Sequence, residues 1–312
     1  MRADALPRWI WAALGVLLLW ACLSVLTERV SLHSLSGVAT SAAFLTLAAL
    51  GQMLVVTTGR GNIDLSIPSV VTLAAYTTVT VSGGSDAGLP LAVAALLGLA
   101  LATGLVNAAL VVLLRIPAII ATLATGYMLA TLTLLVNRAV KSAGTPDTLG
   151  FLATGRLAGL PVAAILGAAV TALAGLALLR LAYGRQLTAV GQSWDAARLA
   201  GVGVGRTLTL AFLLSACLAT LTGALLSAYA GGAFLEMGSP YLLQSVGAVV
   251  LGGTLIAGGS ATALGTLFGA LLLVLIIVTM QIAGLPPGVQ DIVQGVVIIL
   301  VLALGSSGRR RT

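Results

Sequence analysis

The chain has 312 residues, of which 59% are hydrophobic and only 7% are charged. Soluble domains carry about 25% charged residues, so this composition excludes a water-soluble globular fold. The net charge of +7 does not indicate nucleic-acid binding, because the basic residues stand singly at the ends of apolar runs. The 38 glycines predict closely packed helices. We therefore predict an all-α integral membrane protein with a single polytopic transmembrane domain over residues 1–312.

Apolar runs along the chain predict about ten transmembrane helices, since a helix of roughly 20 residues crosses a bilayer. The first run follows Arg2 and Arg8 and is similar to the apolar part of a signal peptide. It is long, however, and has no small-residue cleavage motif, so we assign it as a transmembrane helix. The ten predicted spans are residues 9–27, 38–58, 66–82, 89–114, 117–137, 158–180, 207–230, 241–257, 263–283 and 288–304.

The distribution of basic residues predicts that both termini are cytoplasmic. With ten spans and an internal N-terminus, eleven basic residues face the cytoplasm and four face outside, the asymmetry expected of a multi-pass protein in a bacterial inner membrane. The predicted cytoplasmic residues are Arg2, Arg8, Arg60, Arg115, Arg180, Arg185, Arg198, Arg206, Arg309, Arg310 and Arg311. The predicted external residues are Arg29, Arg138, Lys141 and Arg156.

Two polar interruptions of the apolar pattern have the same layout. Asp64 precedes Pro68 by four residues, and Glu236 precedes Pro240 by four residues. The first pair falls on the cytoplasmic side of the predicted topology and the second on the outer side, which predicts an inverted internal repeat with a solute pathway at the repeat interface. The alternative is a chance match among many glycine and proline breaks. The predicted repeat halves are residues 38–138 and 207–304.

The sequence contains no motif for binding or hydrolysing a nucleotide. A phosphate-binding loop needs a lysine after its glycines, and the single lysine, Lys141, follows no glycine run. His33 is the only histidine, and Cys22 and Cys217 have no metal-ligand spacing, so we expect no catalytic site, metal site or cofactor. The chain is not expected to be an enzyme, and ATPase activity that drives transport must reside on a separate subunit.

Polar residues inside the predicted spans are almost all uncharged, which argues against an ion-coupled secondary carrier. We predict that Gln52, Asn107 and Gln244 lie near a solute pathway, because neutral hydrogen-bonding groups suit an uncharged polyol or sugar. The alternative is that these side chains only join helices through interhelical hydrogen bonds.

The longest polar segment on the predicted cytoplasmic face spans residues 181–206. It contains a predicted short helix from Asp195, with Ser193 as its N-cap and Gly201 as its stop. The alanines of this helix are small enough to enter a groove on another protein, which predicts a docking element for a partner protein. The alternative is a helix that rests on the membrane surface. The predicted docking residues are Asp195, Ala196, Ala197, Arg198, Leu199 and Gly201.

Four segments, in order along the chain, resemble the ribose, xylose and arabinose permeases of bacterial ATP-binding-cassette importers. They are residues 61–66 (GNIDLS), 107–123, 184–201 and 250–266. The resemblance extends from the second span to near the end of the chain. It implies the fold of a type II importer permease, in the superfamily that includes branched-chain amino acid permeases. It also implies a dimer of permease subunits, an ATPase partner that contacts residues 195–201, and a periplasmic or lipoprotein solute-binding protein.

The chain departs from sugar permeases at three places. The docking helix has Asp195 where such permeases usually have Glu, a change that keeps the charge. Residues 241–244 read YLLQ where such permeases often have Tyr-Glu-Leu-Asp, and residues 260–262 read SAT where a glycine and a basic residue are usual. We expect import of a small polar solute, and among solutes a monosaccharide. The alternatives are branched-chain amino acids or nucleosides as solutes, and an ion-coupled carrier or an intramembrane enzyme as other classes of protein.

Overall fold

A computed structural model describes residues 7, 9–26, 32–139 and 144–307 of the chain, which are mostly α-helical. Both termini lie outside the described residues, as do Arg2, Arg8, Arg29, Lys141 and residues 309–311, on which part of the topology prediction depends. The helices are α1 (Ile10–Leu26), α2 (Leu32–Thr57), α3 (Ile67–Ser82), α4 (Leu89–Ala108), α5 (Ala118–Ala139), α6 (Asp147–Thr154), α7 (Val162–Arg180), α8 (Ala182–Gln192), α9 (Trp194–Leu199), α10 (Val204–Ala230), α11 (Tyr241–Leu251), α12 (Ala263–Ile282) and α13 (Pro287–Ser307). Two strands, β1 (Arg156–Leu157) and β2 (Leu160–Pro161), form an antiparallel hairpin.

Among the described residues, six helices are long and apolar enough to cross a bilayer, and four shorter apolar helices accompany them. The prediction of a multi-pass membrane protein is therefore confirmed at this coarser level, while the count of ten spans stays a prediction. The six long stretches are Ser36–Thr57, Asp86–Leu113, Ala118–Arg138, Val162–Arg180, Val204–Ala230 and Ala263–Ile282. The four shorter ones are Ile10–Ser24, Ile67–Ser82, Tyr241–Leu251 and Pro287–Leu300.

Local sequence explains where several helices begin and end. Pro68 lies in the first turn of α3, where its missing N–H is not needed, and the helix ends at Gly83 in the left-handed conformation. The predicted span 241–257 is too long, because α11 ends at Leu251. The following residue, Gly252, packs its backbone closely against the start of α12.

The helices α2 and α10 pack against each other at the centre of the bundle. The apolar stretch of α2 is 89% buried. The helices α3 and α4 pack on α10, whereas α11 and α12 pack on α2. Farther out, α5 contacts α3 and α4, and α13 contacts α11 and α12. The helices α2 to α5 therefore pack in the same way as α10 to α13. In each set the second and third helices pack on the first helix of the other set, so α3 and α4 pack on α10, and α11 and α12 pack on α2.

After α2, the chain turns back into the bundle through residues 58–66, the first return segment. The helix ends at Thr57, yet the side-chain amide of Gln52 pairs with the backbone of Asp64. Gln52 lies five residues before the end of α2, and a helix rises about 1.5 Å per residue. Between Thr57 and Asp64 the chain therefore runs back about 7 Å alongside α2. Asp64 is consequently inside the bundle rather than at its surface.

After α10, the chain turns back in the same way through residues 231–240, the second return segment. The helix ends at Ala230, but the N–H of Gly238 donates to the hydroxyl of Thr72 in α3 at 3.0 Å. Gly223 of α10 packs against the same turn of α3. Since Gly223 lies seven residues before Ala230, the second return segment retraces about 10 Å of α10.

The close contact at Gly238 makes a prediction about stability. A Cβ atom at Gly238 would overlap the Pro68 carbonyl and the Thr72 hydroxyl. Gly238→Ala should therefore reduce the free energy of unfolding by about 1–3 kcal/mol, the usual cost of overpacking. Gly232→Ala is the matched control, because a Cβ there meets nothing within 4 Å. Thermal unfolding in detergent measures both, and equal losses would contradict the proposed contact.

Candidate functional site

Two short helices on one face of the bundle carry the predicted docking residues. The first, α8, buries Gly184, Leu187 and Val190 and packs against α2, α7 and α10. The second, α9, begins where the Ser193 hydroxyl accepts a hydrogen bond from the N–H of Ala196 at 3.2 Å, as the predicted N-cap requires. The pair therefore forms an exposed polar surface on a buried apolar support.

The side chains of the predicted docking residues point in two directions. Leu199 is 91% exposed, which is unusual for a large apolar side chain outside the transmembrane helices. Ala197 is only 4% exposed, because α9 turns it toward the bundle. Its methyl group packs within its own chain in this structure. Docking through all six residues stays a prediction, and the exposed ones are Asp195, Ala196, Arg198, Leu199 and Gly201.

Trp194 joins α9 to the first return segment. Its indole N–H donates to the carbonyl of Thr58 at 2.8 Å, and the Arg60 guanidinium lies 4.1 Å from the centre of the indole ring. Arg60 also approaches Asp195, at an N···O distance of 3.8 Å. Both charged side chains are exposed, so their ion pair contributes little, whereas the indole hydrogen bond fixes α9 in place. Sequence reasoning missed this link, although a tryptophan within a polar segment was the available signal.

A second contact joins α8 to the end of α2 at Gly191. A Cβ atom at Gly191 would overlap the Thr57 carbonyl and the backbone of Gly259. The N–H of Gly259 donates to that same carbonyl at 3.0 Å. The loop of residues 252–262, between α11 and α12, therefore meets α8 and α2 at one point, where only glycine fits.

The carboxyl group of Asp64 is the centre of a buried polar cluster. One oxygen accepts hydrogen bonds from the N–H of Ser66 at 3.0 Å and from the Ser66 hydroxyl. The other accepts from the hydroxyl of Ser215 at 2.7 Å, and Asn107 Nδ2 donates to Ser66 Oγ at 2.9 Å. Because Ser215 belongs to α10 and Asn107 to α4, the cluster ties the first return segment to two transmembrane helices.

The three side chains predicted near the solute pathway all have interhelical partners or partners in a return segment. Gln52 is fully buried, and its amide pairs with the Asp64 backbone at 3.1 and 3.3 Å in the orientation that satisfies both groups. Asn107 belongs to the cluster described above. Gln244 of α11 donates to the side-chain oxygen of Gln294 of α13 at 3.3 Å. This geometry fits the interhelical alternative, and a place on the pathway stays a prediction for all three.

A cavity of about 430 Å³ lies between α3, α5 and the second return segment. Leu65 and Pro68, at the first break, line one side of it, and Glu236 lines another. The sequence placed Glu236 near the end of a span, but the second return segment brings it back beside the first turns of α3. Pro240 precedes the first residue of α11.

An apolar helical bundle that holds an exposed polar helix pair on one face defines a membrane-spanning subunit of a larger assembly. The chain belongs to the family of branched-chain amino acid transport system permease components, which matches residues 34–302. It is thus a multi-pass inner membrane permease, and the predicted membrane-spanning subunit of an ATP-binding-cassette importer is confirmed. Such a system implies an ATPase and a solute-binding protein as partners.

Relatives support this membership along almost the whole chain. The chain is 33% identical to the autoinducer 2 import system permease protein LsrC of Shigella flexneri over 307 residues, which cover 97% of this chain and 88% of that protein. It is 37% identical to the LsrC protein of Klebsiella pneumoniae over 280 residues, which cover 90% of this chain and 80% of that protein. It is 33% identical to the LsrC protein of Yersinia enterocolitica over 304 residues, which cover 96% of this chain and 82% of that protein. No solved structure matches the chain.

The buried cluster makes a prediction about stability. Asp64→Ala leaves the donors of Ser66 and Ser215 buried without an acceptor, so we expect it to cost about 1–3 kcal/mol. Ser215→Ala removes one of these hydrogen bonds and should cost less. Thr103→Val is the matched control, because the buried Thr103 hydroxyl has no partner among the described residues. Unfolding in detergent measures all three, and an Asp64→Ala protein as stable as the control would contradict the structural role of the cluster.

Proposed function

We propose that the chain is one of two permease subunits of an importer, that the ATPase docks at α9, and that the solute is a small polar molecule of the sugar type. The observation that carries the docking proposal is Leu199, which is 91% exposed at the tip of α9. A large apolar side chain in that position is stabilised when a partner covers it. Asp195 and Arg198 of the same helix, and Arg60 beside Asp195, are exposed charges that can orient the partner.

The choice of an uncharged solute follows from the side chains that line the cavity. They include Glu236 but no basic residue. A zwitterionic amino acid carries two charges, and its carboxylate would be buried there without a partner. The relatives named above import autoinducer 2, which makes that compound the first candidate and monosaccharides the wider class. Branched-chain amino acids, which the family description names, and nucleosides are the alternatives.

The energy for import is proposed to come from a separate ATPase subunit. The single lysine of the sequence, Lys141, lies outside any phosphate-binding loop. An ion-coupled carrier would instead need a buried acid that is free to bind an ion. Asp64 does not suit that role, because hydrogen bonds from Ser66 and Ser215 engage both of its oxygens, and Glu236 does not suit it because its side chain is exposed rather than buried.

The exchanged packing partners of α2 and α10 support the proposed inverted repeat, with halves at residues 38–138 and 207–304. Each half begins with a long central helix that is followed by a return segment and a shorter helix. An inverted repeat brings the two return segments toward the same depth from opposite faces of the bundle. The cavity lined by Leu65 and Glu236 has residues of both return segments in its wall, as this arrangement requires.

The docking proposal predicts the effect of a charge at the tip of α9. Leu199→Asp should reduce both co-purification of the ATPase and uptake by at least about tenfold, since 1.4 kcal/mol of lost docking energy corresponds to a factor of ten. The measurement is uptake of autoinducer 2, D-ribose and leucine into proteoliposomes that contain the permease, its ATPase and its solute-binding protein. Uptake of leucine alone would contradict the proposed class of solute.

The matched control for this experiment is Leu157→Asp. Leu157 is also an exposed leucine, at 51%, but it lies in the hairpin of β1 and β2. This variant should retain the ATPase and uptake. Ala197→Trp should instead destabilise the permease itself, because Ala197 is buried within the chain. If the ATPase co-purifies with the Leu199→Asp permease as well as it does with the wild-type permease, α9 does not dock the ATPase.

The proposed topology, with both termini cytoplasmic, predicts a labelling pattern. In a protein with Cys22 and Cys217 replaced by serine, a cysteine at Leu157 should react with a membrane-impermeant thiol reagent in intact cells. A cysteine at Ala196 should react only after the membrane is opened. Reaction of both in intact cells, or the reverse pattern, would refute the proposed orientation.

A further inference from the structure

The cavity between α3, α5 and the second return segment is an open groove that lies about halfway along α5. Its residues on α5 run from Leu123 to Leu134, the middle of a helix that spans Ala118–Ala139. At 1.5 Å per residue, these positions are about 7 Å from either end of α5. The second return segment reaches the same depth through the hydrogen bond between Gly238 and Thr72. Along the helix axes, the cavity is therefore near the middle of the bundle rather than at either end.

Several polar groups face this cavity without a partner. The Ser239 N–H donates to the Glu236 carbonyl at 3.1 Å, so one turn of the chain presents both side chains to the cavity. Ser69 of α3 and Tyr127 of α5 lie across from them. Within the described ranges, the carboxyl group of Glu236 and these three hydroxyls make no hydrogen bond.

Lipid cannot satisfy these groups. An acid and three hydroxyls exposed to hydrocarbon at this depth would each carry a desolvation penalty, and the penalty of the acid is the largest. Tyr127 is 68% exposed, so the surface that they form is open rather than sealed by neighbouring helices. Water, a polar solute or the second permease subunit must therefore meet these groups in the membrane, and the open shape of the groove favours water and solute.

We infer that the cavity is a binding subsite on the solute pathway for an uncharged molecule with several hydroxyl groups, and that Glu236 accepts hydrogen bonds from those hydroxyls. The inference rests on the proposed import function. The two carboxyl oxygens of Glu236 can accept from neighbouring hydroxyls of one solute, while Ser69, Ser239 and Tyr127 can each donate or accept. The volume of about 430 Å³ lies within the usual range for small-molecule sites.

The apolar part of the wall suits the same class of molecule. Leu65 and Leu123 line the cavity beside the polar groups. A cyclic polyol has carbon-bound hydrogens on its ring faces and hydroxyls at its edges, so it matches a site with both kinds of surface. A small cation would gain nothing from the leucines.

The first test compares two replacements of Glu236 in the complete transporter, with autoinducer 2 and D-ribose as probes. Glu236→Ala removes the acceptor, and loss of hydrogen bonds to a charged group should reduce uptake at least about tenfold. Glu236→Gln keeps one acceptor oxygen and should retain uptake within about threefold. Assembly with the ATPase should be unchanged in both, because α9 is far along the chain and is not part of the cavity wall.

The outcomes separate this inference from the proposed function. If the wild-type transporter takes up neither autoinducer 2 nor D-ribose, the proposed solute class is contradicted. Wild-type uptake that Glu236→Ala leaves unchanged would overturn the subsite. Equal losses in Glu236→Ala and Glu236→Gln would show that the charge itself is required, and would overturn the assignment to an uncharged solute.

A second measurement tests the cavity without any transport. In the protein with Cys22 and Cys217 replaced by serine, Ser239→Cys should react with a water-soluble thiol reagent, because the reactive thiolate forms where water is present. The matched control is Leu97→Cys, at a 55% exposed position on α4. It should react at least tenfold more slowly if that face contacts lipid. Equal or slower labelling at residue 239 would overturn the inference whatever the solute is.

Discussion

Nonhelical backbone inside a membrane must have every N–H and C=O group satisfied by protein, and the rest of this structure depends on how the first return segment meets that constraint. The amide of Gln52 satisfies the backbone N–H and C=O of Asp64. The hydroxyl of Thr122 accepts from the N–H of Leu65 at 2.9 Å, and the Asp64 carboxyl accepts from the N–H of Ser66. Side chains of α2 and α5 thus replace the hydrogen bonds of a helix, which lets α3 begin inside the bundle.

The two acids at the breaks have opposite surroundings although their sequence contexts match. Asp64 is 3% exposed, and hydrogen bonds from Ser66 and Ser215 engage both of its oxygens, so it holds structure together. Glu236 is exposed to the cavity and has no such partners in the described part of the chain. The proposed inverted repeat would account for this difference, because one return segment can be closed by neighbouring helices while the other stays open. In that arrangement Asp64 is a structural acid and Glu236 is the acid left without a partner.

Local patterns predicted much of the fold, and longer-range contacts account for what they missed. Ser193 caps α9 as predicted, since capping depends only on residues three positions away. The inward orientation of Ala197 was not predictable, because it follows from the bond between Trp194 and Thr58, which are 136 residues apart in sequence. The depth of Glu236 was likewise missed. It depends on the fit of Gly238 against α3, which no periodicity reveals.

The first return segment connects α9, the proposed docking surface, to the cavity by a short covalent path. Thr58 accepts the hydrogen bond from Trp194, and Leu65, seven residues later, lines the cavity. Between them, Asp64 fixes the segment to α10 through Ser215. A displacement of α9 by a docked ATPase would therefore act on the cavity wall through a segment that is already tied to a central helix. A flexible loop would absorb such a displacement, whereas a segment with satisfied, buried hydrogen bonds transmits it. The same bonds that make the break tolerable in a membrane thus make it suitable for coupling ATP hydrolysis to solute movement.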